Sequence, residues 1–508
     1  MTIDNSDRSK TIAKNTIVLY IRMIFVLGVS LYTSRVLLDV LGVEDYGVYN
    51  VVGGIVTMLG FFNGAMVSST QRFFSFAIGQ NDLKQLCLNY STILIIQVGL
   101  ALLILLLAET AGLWFVNNYL VIPAERLNAA LWVYQFAVMT FIVTILQVPF
   151  TAMIITHERM KAFAYISIAD IIMKLLVVIA LPIVHYDKLI IYAELLFFIA
   201  LLTFITYVVY TRIRFKHVKY VKEKNRTLFR TLTSYMGWNL WGNAAAVIMN
   251  QGVNILINLF FGPAVNAARA IAYQVQSAVN QLVANFQLAM NPQIVKSYAS
   301  NDLNYMHSLI IRGSKLSFFL IFTLALPVSI ETEFLLSIWL KDIPQHAIQF
   351  TILVMILACI DSFSGTLMVA AQASGRIKLY QSVVGGLLIL NLPLSYIALK
   401  LGSSAETTMY IAITISLLAL YFRLRIISPL VGLKGKMFLM GSILPSSLVA
   451  ISSIAFSLTI KYNLQIQSQI NSIIVILITV ISTIIFTMVI GLTREEQSFI
   501  KTRVFKKQ

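Results

Sequence analysis

Cysteine is nearly absent from this chain: Cys87 and Cys359 are the two among 508 residues. That is too few, too far apart, for a disulfide framework or a thiolate metal site, and no cofactor is expected. Acidic residues are scarce as well, 21 against 38 Lys and Arg, and charged residues of both signs make up only 12% of the chain. Soluble domains carry about twice that share. No GxxxxGK[ST] phosphate loop occurs, which removes ATP as a direct source of energy. Between the apolar runs no polar stretch is long enough for a soluble domain, so neither an ATPase nor a glycosyl-transfer domain has room, and the chain is not expected to be an enzyme.

What is present is apolar: 58% of the residues, net charge +17. Fourteen apolar stretches divide the chain, at about 15–39, 44–66, 89–116, 127–148, 164–184, 189–211, 234–260, 264–288, 315–338, 348–371, 381–400, 406–427, 437–459 and 468–491. Each is long enough to cross a hydrocarbon layer of about 30 Å. The expected class is all-α, a polytopic membrane protein of about 14 transmembrane helices.

The basic residues are unevenly placed. Arg126, Lys188, Lys341, Lys400 and Lys461 lie in one set of alternate connections, and Arg22, Arg35, Lys174 and Arg269 lie inside spans. All other Lys and Arg fall at the termini or in the opposite set of connections. Such a bias in short loops sets orientation, and a missed span would have inverted it from that point onward. Both termini are therefore expected in the cytoplasm, in a bacterial inner membrane. An anionic leaflet accounts for the positive charge without a nucleic-acid partner. The first span runs into Arg35 and Asp39 with no small-residue cleavage site, as an uncleaved span does.

A weak internal repeat appears at an offset near 220. Gly42 aligns with Gly262, Asn81-Asp82-Leu83 with Asn301-Asp302-Leu303, Glu109-Thr110 with Glu331-Thr332, and Arg159-Met160-Lys161-Ala162-Phe163 with Arg376-Ile377-Lys378-Leu379-Tyr380. Two six-helix lobes in parallel orientation follow: an N-terminal lobe at 1–211, a basic linker at 212–233, a C-terminal lobe at 234–430, and two additional helices with a basic tail at 431–508. The linker holds Arg212, Arg214, Lys216, Lys219, Lys222, Lys224, Arg226 and Arg230 with Phe215, Val218, Val221, Leu228 and Phe229 interleaved. It reads either as a solvated positive connection or as an amphipathic helix lying on the leaflet.

Charges within spans are costly, so each needs a partner or a cavity. Arg22 lies about two turns into the first span, and Arg35 stands four residues before Asp39, on one helical face. Either arginine snorkels to the interface or faces a cavity. Arg269 aligns through the repeat with Tyr49, inside a span, at the mouth of a cavity. The duplication does not mirror these cations, since Arg22 aligns with Gly242 and Arg35 with Ile255. Asp170 and Lys174 are spaced to neutralise each other within the bundle, or else stand as ion-coupling or cavity residues. Asp361 stands mid-span without a local basic partner, either as a carboxylate linked to proton or sodium transport or as a hydrogen-bonded core residue. Amides crowd certain spans, among them Asn243 and Asn250 in the seventh and Gln274 and Asn280 in the eighth. They read as a wet lining or as hydrogen bonds between helices.

The runs Lys14-Asn15-Thr16, Ser34-Arg35-Val36-Leu37, Leu41-Gly42-Val43-Glu44-Asp45-Tyr46-Gly47-Val48-Tyr49-Asn50 and Gln71-Arg72-Phe73 resemble O-antigen and polysaccharide flippases of the Wzx type. These belong to the multidrug, oligosaccharidyl-lipid and polysaccharide exporter superfamily. The resemblance implies a MATE-like pair of lobes moving a polyprenyl-diphosphate-linked oligosaccharide by alternating access, with membrane lipid around the tail, proton or sodium as a coupling ion, and polysaccharide polymerases as partners. By likeness to lipid II flippases it implies Arg35 and Arg269, and more loosely Arg22, as residues that engage the diphosphate. A multidrug antiporter of the same superfamily is the alternative, and its cavity is expected to be acidic. A membrane glycosyltransferase or polymerase is disfavoured by outer loops of about ten residues or fewer.

Overall fold

The computed structural model describes residues 5–58, 60–119, 124–223, 225–340, 342–463, 469–494 and 496–497. Among them every regular element is a helix, which satisfies the backbone polar groups internally, as lipid requires. The chain forms two compact units, one of residues 1–243 with 295–300 and the other of residues 244–294 with 301–508.

Unit one opens with α1 (Asn5–Met58), which joins the first two expected spans. Its single break is Gly42, at φ 77° and ψ 170°, a conformation that any residue with a Cβ resists. The second span continues beyond its expected end through α2 (Gly60–Gly79). α3 (Leu83–Leu107) starts where Asp82 accepts the Gln85 amide, and passes through a π turn at Ala108–Gly112 into α4 (Leu113–Tyr119). A π turn leaves backbone groups without regular partners. Here the Tyr134 hydroxyl, from α5 (Leu127–Thr156), donates to the Ala108 carbonyl at 2.8 Å. A Cβ on Gly112 would lie 2.0 Å from that hydroxyl, so the contact requires glycine. α6 (Met160–Ala180) packs on α1, and α7 (Lys188–Arg214) packs along α5. The core between α1, α5 and α7 holds Val48, Val52, Val133, Tyr134, Val138, Leu189 and Ala193.

The linker departs from one of its two readings. α7 ends at Arg214 and α8 (Arg226–Phe261) begins at Arg226, and the described residues between them are not helical. No amphipathic helix forms there, because the backbone is drawn onto α3: Val221 donates to Ser91 Oγ at 2.8 Å and Lys219 to Cys87 Sγ at 3.4 Å.

Unit two takes residues 244–261 of α8 and most of α9 (Pro263–Ala299). It continues through α10 (Leu303–Ile330), α11 (Thr332–Trp339), α12 (Ala347–Ser362), α13 (Ser364–Ser374), α14 (Lys378–Lys400) and α15 (Thr407–Val431). Then follow α16 (Gly435–Phe438), a π turn at Leu439–Ile443, α17 (Leu444–Asn463) and α18 (Gln469–Phe486). α10 is central, packed against α12, α13, α17 and α18. It begins about three turns before the expected ninth span, because its first turns carry polar Asn304, His307 and Arg312, which hydropathy discounts. Serines 446, 453 and 457 repeat along the buried face of α17, the small-residue stripe that lets membrane helices approach closely.

The duplication is legible in the backbone. Gly42 and Gly262 share φ values of 77° and 81°, and Asn81 and Asn301 share 53° and 58°. Asp82 and Asp302 then cap α3 and α10 through the amide three residues on. Glu158 and Gly375, each just before an aligned Arg, stand at 59° and 75°.

Twelve helices among the described residues are long and apolar enough to cross a membrane. The eighth expected span is helical but falls below that standard because of the amides noted above, and the second includes positions outside the described residues.

Candidate functional site

Unit two places a lone cation on α9. Arg269 is 3% exposed; its guanidinium donates to Asn254 Oδ1, approaches Asn250 Oδ1 at 3.5 Å, and stacks 4.2 Å over the Tyr273 ring. Its buried Nε has no hydrogen-bond partner, and among the described residues no carboxylate pairs with it. The amides of α8 and the ring one turn along α9 thus hold the group without neutralising it. Sequence reasoning had separated Arg269 from Asn250, and the structure brings them together. Tyr273 was missed, although its i, i+4 spacing from Arg269 was the readable signal.

The rest of α9 presents an unusual exposed face. Gln274, Ser277, Asn280 and Gln281 are exposed among alanines, and no large apolar side chain of the described α9 residues is exposed. By contrast α3 exposes Ile95, Val98, Leu102, Leu103, Leu106 and Leu107, as a helix against lipid does. Asn243 plays a local part, donating to the Asn239 carbonyl at 2.9 Å.

Unit one gathers residues that the sequence had treated apart. Lys174 and Asp170 pair at 2.7 Å on α6, and Thr203 of α7 donates to the second carboxylate oxygen at 3.1 Å. Arg22 of α1 lies 4.7 Å over the Phe163 ring, with Asp170 and Tyr207 in electrostatic reach and its buried Nε unpartnered. One carboxylate therefore serves two cations. Arg35 is on α1, and its side chain lies outside the described residues. Also in unit one, Tyr49, Gly53, Val133, Ala137, Thr140, Phe141, Thr144, Ala193 and Leu196 line a mostly apolar cavity of about 220 Å³.

Asp361 is exposed near the end of α12, and its carboxylate accepts a hydrogen bond from Ser416 of α15. Its sequence neighbourhood lacks a base, but Arg423 of α15 is in electrostatic reach, held by Ser364 Oγ at 2.5 Å and Tyr380 Oη at 3.3 Å. The partner comes from another helix, so sequence spacing did not reveal it. Among the described residues no group of His, Cys, Asp and Glu is arranged to hold a metal ion.

These helices define a polytopic membrane protein of the MATE-like fold. It is similar to a MATE transporter in complex with MaD3S, at TM-score 0.72 and 11% identity over 83% of this chain and 97% of that one. It is similar also to an outward-facing multidrug resistance MATE family transporter of the MOP superfamily, at TM-score 0.71 and 10% identity over 82% and 96% of the two chains. A MOP superfamily transporter from Pyrococcus furiosus Vc1, described by a reverse polarity of its binding pocket, matches at TM-score 0.69 and 11% identity over 82% and 96%. No family model and no curated protein matches the sequence.

Proposed function

We propose that this protein is a flippase that moves a polyprenyl-diphosphate-linked oligosaccharide across a bacterial inner membrane by alternating access, with both termini in the cytoplasm. The observation that carries the reading is Arg269. A buried cation without a counter-charge is costly in a membrane, and such a site is completed by an anion. Guanidinium suits this role because it stays charged on burial and presents several donors to phosphate. Arg22, sharing its one carboxylate with Lys174, and Arg35 on the same helix are the further cations assigned to the diphosphate.

The spans' acids fit an anionic cargo equally. Asp170 is paired with Lys174 and Asp361 has Arg423 within reach, so neither is an uncompensated negative charge of the kind an organic-cation cavity calls for. Asp361 is the carboxylate assigned to proton or sodium coupling, which net transport requires unless product is consumed on the far side. The exposed amides Gln274 and Asn280, with Asn250, supply donors and acceptors for sugar hydroxyls, while the polyprenyl tail remains in membrane lipid. Polysaccharide polymerases are the partners this reading implies.

Organic-cation antiport is the second reading, favoured by the likeness to a multidrug resistance transporter. Proteoliposomes separate the two. The flippase reading expects the intact protein to translocate a polyprenyl-diphosphate oligosaccharide and Arg35→Ala and Arg269→Ala to fail at matched insertion. Export of organic cations against a proton or sodium gradient, with the lipid left in place, replaces it by the antiporter.

A further inference from the structure

The linker between α7 and α8 is more ordered than a solvated connection needs to be. Phe215 is 4% exposed and packs, tilted, against the His157 ring with centroids 4.3 Å apart. Beyond it, the Cys87 thiol donates to the His217 carbonyl at 3.6 Å and accepts the Lys219 amide, and Ser91 accepts the Val221 amide. Both anchors are buried side chains of α3, at 8% and 3% exposure. Burial also pushes the His157 imidazole down to about 4, so it packs under Phe215 as a neutral ring.

This pinning imposes a register of three. Phe215, Val218 and Val221 turn inward, while Lys216, Lys219 and Lys222 are exposed. Successive lysines are then at most about 10 Å apart, in a row fixed by the backbone rather than by chance. Exposed Arg212, Arg214, Arg226 and Arg230 flank the row, with Ile213, Tyr220 and Phe229 exposed beside them. Glu223 is the one acid in the segment.

The strip connects the ends of two spans, so it lies at the depth of lipid head groups. Basic side chains there are attracted by anionic lipid, and exposed aromatic side chains favour the interface. A protein or nucleic-acid partner would have to approach across the bilayer surface to reach it. We infer that residues 212–223 and 225–230 form a fixed docking strip for anionic phospholipid head groups, with Lys216, Lys219 and Lys222 as its row of contacts. This inference goes beyond the transport reading and does not depend on the cargo.

The test uses the full chain in neutral detergent, with phosphatidylglycerol or phosphatidylcholine added. Phosphatidylglycerol is expected to raise the thermal midpoint and to be retained in native mass spectra, phosphatidylcholine not. Lys216→Gln/Lys219→Gln/Lys222→Gln is expected to remove at least half of that difference. Arg376→Gln/Lys434→Gln/Lys436→Gln, which removes equal charge from exposed positions in unit two, is expected to keep it. The strip is refuted if the linker variant keeps the full preference, or if both variants lose it equally, which would mark a response to net charge alone. All six side chains are exposed, so folding does not confound the comparison.

Discussion

The His346 imidazole bonds the Glu406 carboxylate through Nδ1, closing the starts of α12 and α15 at the place where unit one closes α5 and α7 with an arginine. There Arg126 bonds Asp187 at 2.7 Å and Asp45 at 2.5 Å. The offsets are those of the repeat, so duplication left two locks of different chemistry. Burial raises both capping carboxyls, but the bonds from His346 and Arg126 outweigh it, and Glu406 and Asp187 are each held below the usual range. A depressed carboxyl stabilises the fold above its unfolded value, and that contribution is lost as pH falls through the folded value. Both locks are therefore expected to weaken below about pH 4. Glu406→Gln and Asp187→Asn are each expected to lower the thermal midpoint at about pH 7 and to lose part of that effect at about pH 3. An effect that does not shrink on acidification counts against the carboxylate as the lock.

Arg269 should separate stability from transport. Leaving a cation buried without a counter-charge costs free energy that a neutral donor does not incur. Arg269→Gln replaces the guanidinium by a shorter, neutral amide donor. The expected result is a thermal midpoint equal to or above that of the wild type, together with at least a roughly tenfold loss of lipid translocation, about 1.4 kcal/mol or more in the barrier. A lower midpoint with transport intact would make Arg269 a structural residue.

The sequence revealed the helices because each apolar run is of membrane length, and it marked four of the left-handed turns only as repeat matches, since Glu158 and His346 adopt that conformation as well as glycine and asparagine. Gly42 and Gly262 stood out as aligned glycines, and the structure supplies the reason in their positive φ. Helix starts were less legible. Hydropathy delayed α10 to residue 315, whereas its cap, Asp302, was in view as a repeat match. The site was visible as residue types and hidden as geometry. Arg269 and Asn250 are nineteen residues apart on different helices, and Asp361 and Arg423 are on different helices too. No spacing rule joins such pairs, because they meet only once helices pack.

The aligned turns make a prediction that a chance resemblance would not. A Cβ at Gly42 or Gly262 would meet nothing within 4 Å, so alanine there strains the backbone alone, at about 1–3 kcal/mol. Asp82→Ala and Asp302→Ala each remove a helix cap, at about 1 kcal/mol. Within each pair the two substitutions are expected to lower stability by the same amount within error, measured as thermal midpoints at a common detergent concentration. Unequal members would mean that the turns resemble each other in shape and not in energetic role.

The linker's order rests on two small side chains, and proteolysis can read that order directly. Cys87→Ser keeps a donor and acceptor for His217 and Lys219, whereas Cys87→Val removes both and Ser91→Ala removes the acceptor for Val221. Trypsin needs an extended, detached backbone around Lys219 and Lys222, so its rate follows the free energy of local opening. Losing a backbone hydrogen bond to a side chain costs about 0.5–1.5 kcal/mol. The double variant Cys87→Val/Ser91→Ala is therefore expected to be cleaved in the linker about tenfold faster than the wild type, and Cys87→Ser at nearly the wild-type rate. Mass spectrometry of the fragments identifies the bond cut. If the double variant and the wild type are cut equally fast, the anchors on α3 do not hold the strip, and its lysines have no fixed register to offer a lipid surface.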